Sequence, residues 1–188
     1  MAVAGEVMLL GTNDGLQALA AADGHDLWRY DLANFRLAST RPMVVGQTAL
    51  LFDLDGRLHA LDAATGQLRW MVQTPPGDMA RSMAPMASDG QRVFVLTGVV
   101  RPALSAIDLA TGSTLWTLRP GGWSHSLVAS NGVLYLATSR HVLAFDTATG
   151  AALPIASLKS MRWGELSLAD GHLLISGGPV RAFGLAGR

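Results

Sequence analysis

Ala60-Leu61-Asp62-Ala63-Ala64-Thr65-Gly66-Gln67-Leu68-Arg69-Trp70 is written again as Ala106-Ile107-Asp108-Leu109-Ala110-Thr111-Gly112-Ser113-Thr114-Leu115-Trp116, and its first seven positions recur as Ala144-Phe145-Asp146-Thr147-Ala148-Thr149-Gly150. A looser copy opens the series at Ala18 to Trp28, with Ala20 at the Asp position and Asp23-Gly24 at the turn, and a remnant, Ala182-Phe183-Gly184, closes it. Trp28, Trp70, Trp116 and the equivalent Pro154 follow one another at intervals of 42, 46 and 38 residues. Periods near forty belong to stacked supersecondary units, helical solenoids or β-propellers.

Local pattern decides between those two. Leu50-Leu51-Phe52, Val93-Phe94-Val95-Leu96, Val133-Leu134-Tyr135-Leu136 and Leu173-Leu174-Ile175 are short apolar runs bounded by Gly, Asn, Asp or Ser. Such runs read as strands and are too short for helices. The third copy resolves into four of them, Met83 to Ser88, Arg92 to Gly98, Leu104 to Leu109 and Thr114 to Arg119. Four antiparallel strands per repeat make a propeller blade, and a blade sandwiched between neighbours accounts for runs that are apolar at every position.

The fold expected is therefore all-β, a propeller of four complete blades and a partial fifth, over about residues 1–33, 41–74, 82–120, 124–159 and 164–188. The first strand is expected as a stub at Met1 to Val3, and Arg181 to Leu185 as the third strand of the last blade. Three arrangements remain open: a five-bladed ring, a piece of a larger seven- or eight-bladed ring, or two chains completing one another. The second is favoured because both ends break within a blade; open blade edges would also allow self-association.

Within the repeated phrase each residue type has a mechanical reason. Asp62, Asp108 and Asp146 are expected to accept hydrogen bonds from turn amides, and Gly66, Gly112 and Gly150 to supply the positive φ of a tight hairpin with a bulge. Trp28, Trp70 and Trp116 stand four residues after the turn glycine, on the outer strand, where a flat ring can dock on the adjoining blade. Pro154 replaces the fourth ring and removes a strand amide, which predicts a weaker contact between the fourth and fifth blades.

The phrase Ala-x-Asp-x-x-Thr-Gly-x-x-x-Trp resembles the tryptophan-docking motif of the pyrroloquinoline-quinone-like propeller superfamily, with Ala60 to Trp70 and Ala106 to Trp116 matching at every fixed position. The resemblance implies one of several roles: quinone-dependent alcohol dehydrogenase, cofactor-free scaffold for outer-membrane protein assembly, or sensor domain of a bacterial serine/threonine kinase. It also implies relatives that are often periplasmic or extracellular. The dehydrogenases use a vicinal cysteine pair, a calcium ion and a catalytic Asp. This chain has no cysteine, and no residue carries over as catalytic.

Composition narrows the partners. Formal charge is zero and 49% of residues are hydrophobic, so there is no basic footprint for nucleic acid. The apolar runs are too short to span a bilayer as helices, and Met1 to Glu6 has no signal-peptide pattern. Neither fixes the compartment. Strand polarity puts the loops between second and third strands, and between blades, on one end. That end holds Trp123 and Trp163, at equivalent positions before two blades, with Arg162, Arg81 and His141. The tryptophans form either an aromatic platform for a planar ligand or apolar segment, or a plug packed on Pro120 and Met161.

Other signals are thinner. Asp53-Leu54-Asp55-Gly56 has the oxygens of a calcium loop but lacks a distal ligand, and Arg57 follows, so a polar turn is expected. His25, His59, His125, His141 and His172 have no zinc spacing and read as turn and surface residues. Ser124-His125-Ser126 lacks a nucleophile elbow and an acid partner. The reading from sequence is a non-catalytic scaffold or sensor module, with no cofactor and no metal, that binds a protein or peptide by strand addition or through its loop end. The alternatives are a dehydrogenase fragment and a small-ligand sensor.

Overall fold

The computed structural model describes residues 1–12, 14–32, 42–75, 84–98, 101–155, 164–176 and 180–184. Every regular element among them is a β-strand. The first blade comprises β1 (Ala2–Ala4), β2 (Val7–Thr12), β3 (Gly15–Ala20) and β4 (Asp26–Asp31), and the second β5 (Met43–Val45), β6 (Thr48–Phe52), β7 (Arg57–Asp62) and β8 (Leu68–Gln73). The third comprises β9 (Met86–Ser88), β10 (Arg92–Thr97), β11 (Ala103–Asp108) and β12 (Thr114–Leu118), and the fourth β13 (Ser124–Ser130), β14 (Val133–Thr138), β15 (Val142–Asp146) and β16 (Ala152–Leu153). The fifth holds β17 (Leu166–Ala169), β18 (His172–Ile175) and β19 (Arg181–Gly184).

Each sheet is antiparallel with its strands in sequence order, the four-stranded meander of a propeller blade. The first strands of neighbouring blades approach one another, β1 to β5, β9 to β13 and β13 to β17, which places them innermost. β1 is a three-residue stub, as expected, but it lies one residue further on than Met1 to Val3; β5 and β9 also have three residues, whereas β13 has seven. The first strand of the third blade is Met86–Ser88, with Ala84 and Pro85 outside it, and the expected start at Met83 lies outside the described residues. The fourth blade ends in an outer strand of only two residues, immediately before Pro154.

Between the five sheets lie four apolar seams. Leu9, Leu16 and Ala18 meet Ala49, Leu51 and Leu61 in the first. Leu50, Phe52, Leu58 and Ala60 meet Val93, Val95 and Ile107 in the second. Phe94, Leu96 and Leu104 meet Leu127, Leu134, Leu136 and Phe145 in the third, and Ala137 and Val142 meet Leu166, Leu173 and Ile175 in the fourth.

Strand alternation explains the division. On β6, Ala49 and Leu51 face backward while Leu50 and Phe52 face forward, and all five residues of the strand are buried. Hence no polar position breaks the run. Among the described residues the fourth seam carries no indole ring, and Pro154 stands where the outer strands of the first three blades have tryptophan.

Candidate functional site

Three inter-blade joints share one construction. The side-chain Oδ1 of Asp62 accepts the amides of Ala64 and Thr65 at 3.0 and 2.9 Å and the Thr65 hydroxyl at 3.1 Å. Asp108 does the same for Ala110 and Thr111, and Asp146 for Ala148 and Thr149. The turn glycines follow with φ of 73, 74 and 72° at Gly66, Gly112 and Gly150. Opposite the first two turns the ladder slips at Ala60/Leu61 and Ala106/Ile107, the register shift of a bulge. A folded aspartate turn with a bare glycine at its tip is flat enough to receive a ring.

A tryptophan from the preceding blade takes that place. Nε1–H of Trp28, Trp70 and Trp116 donates to the carbonyls of Ala63, Leu109 and Thr147 at 3.2, 3.0 and 3.1 Å. Each ring lies against the glycine of the same turn, so that a Cβ added at Gly66, Gly112 or Gly150 would meet it at 2.5, 2.7 and 2.9 Å. The three rings are half-buried. The Asp62 carboxyl is held down at about 2, first by the guanidinium of Arg69, 2.6 Å away, and then by the Thr65 amide. Asp108 is lowered by the Thr111 hydroxyl and amide.

On the loop end the structure describes two of the five residues singled out from sequence, Trp123 and His141. Trp123 precedes β13, is 46% exposed, and its carbonyl accepts the Ser139 amide at 2.8 Å, beside His141. His141 is exposed and opens β15's side of a groove of about 670 Å³. Leu118 and Pro120 of the third blade form one wall, and Leu143 and Phe145 of β15 the other. Arg119 also borders it, and no acidic side chain does among the described residues. Arg81, Arg162 and Trp163 lie outside the described residues.

Sequence reading missed one cluster. His59 is not a surface residue: it is 3% exposed on β7, with Nε2 2.9 Å from Asp53 Oδ2 and Nδ1 3.0 Å from the Tyr30 hydroxyl of the first blade. With the ring proton on Nε2, His59 donates to Asp53 and Tyr30 donates to His59, so both ring nitrogens of the buried imidazole are satisfied. Burial alone would raise the Asp53 carboxyl, but hydrogen bonds from His59 and Arg57 outweigh it and hold the carboxyl below its ordinary value. The spacing of Tyr30 and His59, 29 residues apart on different sheets, gives no local signal.

The same cluster answers the calcium-loop question. Asp53 accepts the Arg57 amide at 2.9 Å and its Nε at 2.8 Å, and Asp55 takes the other end of the guanidinium at 2.8 Å. Both carboxylates are spent on a polar turn, and no cluster of three metal-ligating side chains occurs among the described residues. The donors among the described residues do not fit a calcium-held quinone. His125 Nε2 lies 2.8 Å from the Gly164 carbonyl, a link between the fourth and fifth blades, which leaves Ser124-His125-Ser126 a structural segment. No helix of the described residues is long and apolar enough to cross a membrane.

With this geometry in hand, three comparisons place the chain among known proteins. Outer membrane protein assembly factor BamB of Moranella endobia is 30% identical over 155 residues, covering 77% of this chain and 39% of that protein. Quinohemoprotein alcohol dehydrogenase ADH IIB of Pseudomonas putida is 34% identical over 113 residues, covering 53% of this chain and 16% of that one. The crystal structure of BamB from Moraxella catarrhalis superposes with a TM-score of 0.67 at 23% identity, over 96% of this chain and 58% of that one, a likeness of fold. The chain thus matches well under half the length of either curated relative. Residues 1–153 match the family model described as outer membrane protein assembly factor BamB, and the chain belongs to that family of quinone-like repeat propellers.

Proposed function

We propose that this chain is a non-catalytic scaffold that holds an extended segment of a protein partner in the groove between the third and fourth blades. The observation that carries this reading is the groove itself. Its walls are apolar, Arg119 and His141 border it, and β16 covers only Ala144 and Phe145 of β15. An extended segment with alternating apolar and acidic side chains suits such a surface, since apolar contacts supply burial and carboxylates complement the basic border. Kinship to an assembly factor supports a protein as the ligand. Trp123, beside the groove's His141 end, then serves as an aromatic anchor.

Titration of the isotope-labelled chain with a synthetic peptide of alternating leucine and glutamate tests the reading. Saturable amide shifts over His141 to Phe145, weakened by Arg119→Ala, are expected; shifts absent there, or confined to another blade, would overturn it. Likeness to ADH IIB favours a second reading, a portion of a quinone-dependent dehydrogenase. Alcohol oxidation by this chain, dependent on added pyrroloquinoline quinone and calcium, would establish that reading instead.

A further inference from the structure

The three tryptophan joints differ in what stands beside the ring. Two residues after Trp28, Trp70 and Trp116 on the outer strand come Tyr30, Val72 and Leu118. On the third strand of the blade that follows, His59, Ser105 and Leu143 hold matching places, each one residue before the alanine that opens the repeated phrase. Val72 and Leu118 pack into apolar seams, so a joint closes at this level without a polar pair. The first joint sets a phenol against an imidazole instead.

That pair is directional. The Tyr30 hydroxyl lies 3.0 Å from His59 Nδ1, and the two rings meet edge-on with centroids 5.8 Å apart and planes at 65°. Behind the imidazole, Nε2 lies 2.9 Å from Asp53 Oδ2, an oxygen that Arg57 Nε also reaches at 2.8 Å. His59 and Asp53 are 3% and 2% exposed, whereas Tyr30 is half-buried. With its proton on Nε2, the ring turns the Nδ1 lone pair toward the phenol.

A phenol that loses an electron becomes a strong acid, so tyrosine is oxidised most readily where a base is already within hydrogen-bond reach of its hydroxyl. His59 is that base. A proton arriving at Nδ1 makes an imidazolium whose charge faces the Asp53 carboxylate, and in a site this closed to water the proton stays beside the oxygen that released it.

We infer that Tyr30 is a redox-active tyrosine, giving one electron to an outer-sphere oxidant while its hydroxyl proton moves to His59. The O–H bond of Tyr30 breaks, the proton takes the Nδ1 lone pair, and the electron reduces a one-electron acceptor such as a trivalent ruthenium polypyridyl complex. A neutral tyrosyl radical and an imidazolium held by Asp53 result. Reduction by a one-electron donor such as ascorbate returns the proton to the phenolate oxygen and restores the pair. Trp28 stands two residues earlier on the same face of β4 and packs in the same seam, so an electron vacancy formed on that indole passes to Tyr30 and spares the ring that closes the joint. This inference stands independently of the groove between the third and fourth blades, and either can fail without the other.

Flash photolysis of the chain with ruthenium trisbipyridine and a sacrificial electron acceptor tests it, read by transient absorption and electron paramagnetic resonance. A tyrosyl radical is expected, abolished by Tyr30→Phe and retained in Tyr135→Phe, the change at the chain's other tyrosine. Its formation should slow at least about fivefold in His59→Gln, the factor that one hydrogen bond of ordinary strength corresponds to. In the unmodified chain it should also slow in deuterium oxide, because the transferred proton is exchangeable. A tyrosyl radical that persists in Tyr30→Phe, or oxidation that stops at tryptophan, overturns the inference. So does an unchanged rate in a folded His59→Gln chain and, where that variant does not fold, an unchanged rate of the unmodified chain in deuterium oxide.

Discussion

The indole of Trp70 lies so close to Gly112 of the next blade that a Cβ on that glycine would stand 2.7 Å from the ring, while its Nε1–H donates to Leu109 at 3.0 Å. Ring, glycine and carbonyl form one joint, and each member fails differently when changed.

Gly112→Ala should destabilise the protein by about 3 kcal/mol, adding a steric clash to the strain of φ 74°. Gly90→Ala, at φ 91° with nothing within 4 Å, should cost only the strain, about 1 kcal/mol. Urea denaturation of the two variants measures the difference.

Trp70→Phe keeps part of the ring and loses the hydrogen bond to Leu109, leaving that carbonyl without its donor, for about 1–2 kcal/mol. Trp70→Ala also opens a cavity and should cost about 3 kcal/mol or more. Equal losses in the two variants would show that the hydrogen bond, not the ring, holds the joint.

Acid should loosen the turns. The Asp62 carboxyl sits at about 2 in the folded chain against an ordinary 3.8, so its contribution is complete above 3.8 and disappears as pH falls through about 2. Asp108, Asp89 and Asp53 are lowered too and act in the same direction. Denaturation midpoints recorded across that range should fall steadily, and Asp62→Asn should flatten the profile.

Tyr30→Phe removes the hydroxyl facing His59 and should cost about 1 kcal/mol. His59→Leu should cost more, because Asp53 then stays buried with Arg57 as its only side-chain donor among the described residues. The double variant should lose less than the sum, since both changes break the same chain of hydrogen bonds.

Trp123→Ala should leave the denaturation midpoint nearly unchanged, the side chain being 46% exposed, yet weaken binding of the groove peptide. A large loss of thermal stability would make the residue a plug instead.

The blades could be read from sequence because the signals that make them are local. Asp62, Thr65 and Gly66 interact within one turn, and Leu50-Leu51-Phe52 is apolar because both faces of its sheet are covered. Contacts between blades leave weaker traces. The carbonyl that receives Trp28 belongs to Ala63, 35 residues on, where any side chain would serve because only the backbone is used. His59 looked like a surface residue since its partners, Asp53 and Tyr30, come from a loop and another sheet. The groove beside β15 depends on where β16 ends, and Pro154 marks that place without revealing what borders it.

The two-sided burial of β6 has a consequence for how this molecule wears. A lesion at Leu50 strains one neighbour and a lesion at Leu51 the other, so a change in backbone shape there reaches three sheets at once. An outer strand such as β4 grips a single neighbour, and damage there stays local. Tolerance to mutation should therefore be graded along each blade's width, strict at the second and third strands and permissive at the rim, where natural variation has room to accumulate.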